Sequence, residues 1–213
     1  MEDAEMAAAP PERPERRDAR ENRRLLLEVA KRLFAQQGVP ATSMKEIAEA
    51  AGVGKGTLYR NFAHKGELCV ALLREDVAAF QEHLDPLISD AGRGTSPLTR
   101  LDILMTERVH MTERHLPLFA AIDEEAGGSG RARPSRTPFA AWTHAHIVRL
   151  LGAAVARGEA PPVDLEFTAD AIEAVMSPQH YRFQRHAAGY SMERIIAGLR
   201  RLFVDGLRQG PPT

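Results

Sequence analysis

The 213-residue chain has a single cysteine, Cys69, which excludes an intramolecular disulfide and a cysteine-based zinc site. No apolar run reaches the ~18 residues needed to span a bilayer. The acidic, proline-rich N-terminus is unlike a signal peptide, so a cytoplasmic protein without a membrane partner is expected. Alternating β-branched runs are also missing. With Ala, Leu, Glu and Arg dominating instead, the chain reads as all-α. The eight histidines lack metal-site spacing. His144 and His146 are two apart and fall on different helix faces, and His110 and His115 are five apart, so neither pair has i, i+4 geometry. Gly52-Val53-Gly54-Lys55-Gly56-Thr57 has neither the spacing nor the preceding strand of a phosphate-binding loop. With no recognisable Ser/His/Asp or Cys/His arrangement either, no metal, cofactor or enzymatic activity is expected.

Charge is unevenly spread behind a formal net charge of −1. From Arg20 to Lys65 there are nine Lys or Arg against four Asp or Glu, while the remainder holds nineteen against twenty-five. A basic module on a larger acidic body suits docking on phosphates. Within the basic module, Thr42 to Lys65 reads as two short helices joined by a tight turn. Ser43 and Glu46 form a capping box that starts the first. Met44, Ile47, Ala48 and Ala51 lie at helical spacing on its inner side, and Gly52 stops it in a left-handed cap, with Val53 plugging the corner. The second begins near Gly54 and buries Leu58 and Phe62, leaving Lys55, Thr57, Tyr59, Arg60 and Asn61 on its other faces. Such a pair presents its second helix to a DNA major groove.

Ala30 and Phe34 of a preceding helix, then Gly38, Thr42, Ile47-Ala48, Ala51-Gly52-Val53, Gly56-Thr57-Leu58-Tyr59, Phe62, Lys65 and Leu68 stand at many fixed offsets. On these residues the segment from about Arg24 to Leu72 resembles the DNA-binding domain of the TetR family of bacterial transcriptional regulators. Gly54 departs from the Ser common there, at a cost of only a few tenths of a kcal/mol. The resemblance implies a homodimeric transcriptional regulator, a ligand-responsive repressor that binds a palindromic double-stranded DNA operator. Lys55, Asn61 and Lys45 are then base readers. Ser43, Thr57, Tyr59, Arg60 and Lys65 are phosphate contacts, Lys65 adding its charge to the N-terminus of the next helix, and Gly56 lets the backbone approach. The rival reading is a small-molecule-binding or catalytic helical protein whose helix-turn-helix is vestigial.

The chain divides into an N-terminal tail over residues 1–18, expected to be disordered, a helix-turn-helix domain over 19–65, and a ligand-binding and dimerisation domain over 66–213. Arg13, Arg16, Arg17 and Arg20 form either a basic arm or a solvated tail. Helices are expected from Asn22 to Gln37, from Lys65 to His83, from Leu98 to Arg114, from Leu116 to Glu125, and from Phe139 to Arg157. Two more run from Leu165 to Arg185, kinked or divided at Pro178, and from Ser191 to Gln209. Loops are expected over Asp90 to Pro97 and Gly127 to Pro138. In the resembled family the middle helices enclose an effector cavity, which here implicates Leu101, Met105, Val109, Phe119, Phe139, Trp142, His146 and Tyr181. The apolar stripe Ile195, Leu199, Leu202 and Phe203, with Ile172, Val175 and Met176, suits a four-helix dimer interface.

Overall fold

A computed structural model describes residues 14–89, 94–125 and 137–208. Nine α-helices are found among these residues, with no strand: α1 (Pro14–Gln37), α2 (Met44–Ala50), α3 (Lys55–Asn61), α4 (Lys65–Ile88), α5 (Pro97–Glu125), α6 (Pro138–Ala156), α7 (Leu165–Val175), α8 (Pro178–Arg182) and α9 (Met192–Phe203). A π-helical turn, Phe183–Ala187, follows α8, and a 3-10 turn, Asp205–Leu207, follows α9. None of these helices is long and apolar enough to cross a membrane.

Helix α1 starts at Pro14 rather than near Asn22, and so takes in the last residues of the expected tail. Proline is favoured in the first turn, where its missing N–H costs nothing, and the charged stretch after it consists largely of good helix formers. That stretch has no apolar stripe, so periodicity alone does not reveal it. The rest of the expected tail, including Arg13, lies outside the described residues, as do half of the loop expected over 90–97 and most of the linker expected over 127–138.

Two cores form along the chain. In the N-terminal head, Leu26, Val29 and Ala30 of α1 meet Ile47 and Ala48 of α2, Leu58 of α3 and Phe62 just after α3. Each such side chain contributes about 1.5–3 kcal/mol when fully buried. Gly38 (φ +84°) and Gly52 (φ +66°) make the reversals after α1 and α2 in the left-handed region that other residues enter with strain. The second core gathers Leu84, Leu98, Leu101, Leu104, Met105, Ile147, Leu151, Ile172, Ile195 and Leu199. Helix α4 serves both, placing Leu68 and Leu72 in the head and Leu84 and Ile88 in the body. Leu118 and Ala121 of α5 return to the head core. The two cores are therefore joined by packed side chains of α4 and α5.

Helix α5 is continuous through residues expected to break it near His115. Pro117 removes one donor, but long packing against α4 carries the helix past that single lost bond. Pro178 does divide α7 from α8, with Ser177 capping the new start through the His180 amide. Helix α9 ends at Phe203, short of the expected Gln209.

Candidate nucleic-acid interface and effector region

The head holds α2 and α3 in place by capping and by a buried frame. The Ser43 hydroxyl donates to Glu46 Oε2 at 2.7 Å and accepts from the Glu46 amide, while the Ser43 amide donates to the same carboxylate at 2.7 Å. These bonds hold the Glu46 carboxyl below its usual range. Arg23 of α1 donates to the Asn61 carbonyl at 2.9 Å and lies 4.2 Å over the Phe62 ring, fastening the end of α3. Sequence reasoning missed Arg23, because its role depends on a partner 38 residues away.

The nine residues expected to meet DNA separate into two groups. Lys45, Lys55, Gly56, Tyr59 and Arg60 are exposed, and Tyr59 keeps 52% of its surface open, unusual for an aromatic ring. Lys45 Nζ lies 3.6 Å from Glu49 across one turn, and Arg60 reaches back to the Gly56 carbonyl and the Thr57 hydroxyl, each at 3.2 Å. A side chain at Gly56 would meet nothing within 4 Å, so the surface there is open. Ser43, which is also exposed, and the half-buried Thr57, Asn61 and Lys65 are engaged in hydrogen bonds within the head. Asn61 donates to the Thr57 carbonyl at 2.9 Å and is half-buried. Lys65 Nζ donates to the carbonyls of Val39 and Thr42, both at 3.0 Å, and to Pro40 at 3.4 Å. Its charge is spent on the loop between α1 and α2. His64, not Lys65, attends to the start of α4, accepting from the Glu67 amide at 3.2 Å, while Glu67 accepts from the Ala63 amide at 2.7 Å.

The eight residues expected to line an effector cavity are also dispersed. Leu101, Met105, Val109 and Tyr181 are buried in the body core, and Phe119 packs on the head core. Phe139, Trp142 and His146 do come together on α6. Phe139 and Trp142 lie nearly parallel with centroids 6.2 Å apart, and the His146 ring sits 4.3 Å from Trp142. Phe80 of α4 meets both Phe139 and Trp142 edge-on. Arg108 of α5, a charge inside an apolar helical stripe, stacks 4.6 Å over the Phe139 ring. Phe80 and Arg108 complete a group that the sequence supplied only in part.

Open clefts lie beside this array rather than around the expected residues. One of about 290 Å³ runs between α4 and α5, lined by Asp76, Phe80, His83, Glu107 and His110 among others. Another of about 240 Å³ continues towards the head past Lys31, Phe34, Leu72 and Arg114. Burial lowers the His115 pKa at their junction, outweighing Asp76 at 3.7 Å. No group of three metal-ligating side chains converges among the described residues.

Ile172, Met176, Ile195 and Leu199, expected at a dimer interface, are core residues of the single chain. Their apolar stripe is satisfied by α5 and α6, so they present no surface to a second copy. Leu202 of α9 remains 65% exposed, Phe167 of α7 and Phe183 of the π-helical turn are also exposed, and Val175 and Phe203 are half-buried. Glu113 of α5 binds this C-terminal region. It accepts from Arg185 at 2.8 Å and from the Tyr181 hydroxyl at 2.7 Å. The Arg185 hydrogen bonds hold the Glu113 carboxyl below its usual range, and burial, helped by Glu113, raises Tyr181.

The family model described as bacterial regulatory proteins, tetR family, matches residues 26–72, from the apolar stripe of α1 through the first turns of α4. Over that segment the chain is similar to the DNA-binding domain of the TetR family. An HTH-type transcriptional regulator of Staphylococcus aureus strain USA300 is 41% identical over 75 residues, 35% of this chain and 40% of that protein. The match thus spans well under half the length of that relative. Among solved structures, a TetR-family transcriptional regulator from Pectobacterium atrosepticum superposes with a TM-score of 0.68 at 21% identity, covering 92% of this chain and 99% of that one. A TetR/AcrR-family regulator from Thermobifida fusca gives 0.62 at 24% identity, covering 89% and 100%. The fold of these two structures therefore extends over the body as well.

Proposed function

We propose that this protein is a ligand-responsive transcriptional repressor of the TetR family that binds a palindromic DNA operator as a homodimer. The observation that carries the reading is the exposed face of the capped α2–α3 pair, where Lys45, Lys55, Tyr59 and Arg60 project around the open Gly56 backbone. Lys55 and Lys45 read base edges there, and Tyr59 and Arg60 hold phosphates. Asn61 and Lys65 support the helix and the loop behind it. The dimer joins through the exposed apolar residues Phe167, Phe183 and Leu202, with Val175 and Phe203 at its margin.

The effector binds at the array formed by Phe80, Phe139, Trp142 and His146. Phe80 belongs to α4, the helix shared by both cores, so a ligand that repositions α6 against Phe80 shifts α4 and the spacing of two recognition helices. DNA affinity then falls. A mobility-shift experiment on fragments of the source genome tests the reading: a few fragments shift at low concentration with two chains per duplex. Weak shifts that are indifferent to sequence favour the vestigial helix-turn-helix instead.

A further inference from the structure

Arg108 has only 7% of its surface exposed, yet its guanidinium is incompletely partnered. Nη1 donates to the Thr112 hydroxyl at 2.7 Å, one face stacks on Phe139, and Nε finds no acceptor among the described residues. Burial pulls its pKa down to about 10, with only the charge of Glu173 opposing that shift. Buried donors are almost always paired, and a buried charge far more so. Its location adds a second unfavourable interaction. Phe139 is the second residue of α6, so the ring on which the guanidinium stacks belongs to the first turn of a 19-residue helix, whose N-terminus is the positive end of its dipole. Cation and helix end repel each other, and both are relieved by one anion placed between them.

We propose that Arg108 and the first turn of α6 form the anchoring subsite of the effector, and that the effector is a small carboxylate with a flat apolar body. The inference rests on the reading of the Phe139–Trp142 array as the effector site. With Nη1 committed to Thr112, the Nε edge is the part of the fork left to receive a carboxylate. A monoanion suits this enclosed setting better than a phosphate dianion, whose desolvation costs more. Phe139 and Trp142, nearly parallel and half-buried, give the apolar body a wall that is reachable from solvent. Nothing in the pattern of the sequence beyond a lone Arg between Leu104, Met105 and Val109 marks the position.

Benzoate, phenylacetate and hexanoate, each paired with its neutral amide, serve as probes on DNA-free protein, with the emission of Trp142, the only tryptophan, as the readout. At least one carboxylate should change the emission saturably, while its amide and inorganic phosphate do not. Arg108→Met should weaken that response at least about tenfold, the loss expected for a charge-assisted hydrogen bond, and should raise the melting temperature by removing a poorly paired buried charge. Arg108→Lys, which keeps the charge and loses the fork, covers the case in which the methionine variant does not fold, and should also bind more weakly. The proposal is overturned if no carboxylate acts, if amide and carboxylate act alike, or if the variants respond as the wild type does. Operator release is measured separately. A carboxylate that binds through Arg108 without releasing DNA leaves the anchor standing and removes the effector reading.

Discussion

Replacing Lys65 with methionine keeps the aliphatic stem and removes only the ammonium, which holds the carbonyls of Val39 and Thr42 at 3.0 Å and Pro40 at 3.4 Å. Hydrogen bonds to a charged group are worth about 1.5–3 kcal/mol each in favourable settings. Lys65 is only half-buried and water can replace part of what is lost, so about 2 kcal/mol for the whole cluster is the expected cost. At about 1.4 kcal/mol per factor of ten, local opening of the loop between α1 and α2 becomes about 30-fold more frequent. Amide hydrogen exchange reads this directly. The amides of Ile47 and Ala51, bonded to the carbonyls of Ser43 and Ile47, should exchange about 30-fold faster in Lys65→Met. The salt dependence of DNA binding should keep its slope, since no phosphate contact is lost. Unchanged exchange together with a slope reduced by about 0.9 per half-site would refute the reasoning and return Lys65 to the phosphates.

Leu199→Asp places a carboxylate in the body core and should unfold the protein, a loss of at least about 3 kcal/mol by chemical denaturation. Leu202→Asp, on the exposed side of the same helix, should leave the fold intact and yield monomers by sedimentation velocity; dimers of unchanged affinity would place the interface elsewhere. The Glu113 carboxyl is held below its usual range, so the stability it contributes is present above its unfolded pKa of about 4.3 and is lost as pH falls through the lower folded value. Thermal melts between neutral pH and about pH 3 should therefore show a smaller acid-induced loss for Glu113→Gln than for the wild type; equal slopes would mean the Arg185 pair adds nothing. Ser43→Ala removes the hydroxyl half of the capping box, leaving the backbone Ser43 amide on Glu46, and should cost about 1 kcal/mol of head stability, read by the same exchange measurement.

The helix-turn-helix is legible in the sequence because every local signal agrees with the tertiary result. Ser43 and Glu46 cap, Gly38 and Gly52 turn, and Ile47, Leu58 and Phe62 bury. The engagement of Lys65 and Asn61 is not legible, since a lysine that caps a distant loop has the same local pattern as one that waits for phosphate. The body is harder to read for a related reason. Ile195 and Leu199 repeat at helical spacing, but spacing does not say whether a stripe faces its own chain or a second copy. Apolar residues of α5 likewise read as a cavity wall or as core alike, and only the structure places Leu101 and Met105 in the core. The start of α1 at Pro14 and the continuity of α5 through Pro117 escape periodicity because propensity and long packing, not an amphipathic pattern, sustain them.

The central claim is that the exposed face of α2 and α3 reads DNA sequence, and one affinity ratio tests it most directly. The measurement is the affinity for a duplex selected from the source genome over that for its scrambled counterpart, at one fixed salt concentration, for the wild type and Lys55→Ala. The wild type should favour the selected duplex by at least about 10³-fold. Lys55→Ala should lose about 1–3 kcal/mol of that discrimination for each base contact while holding its affinity for the scrambled duplex to within a few-fold. A wild-type ratio near one, unchanged by the substitution, would contradict the account.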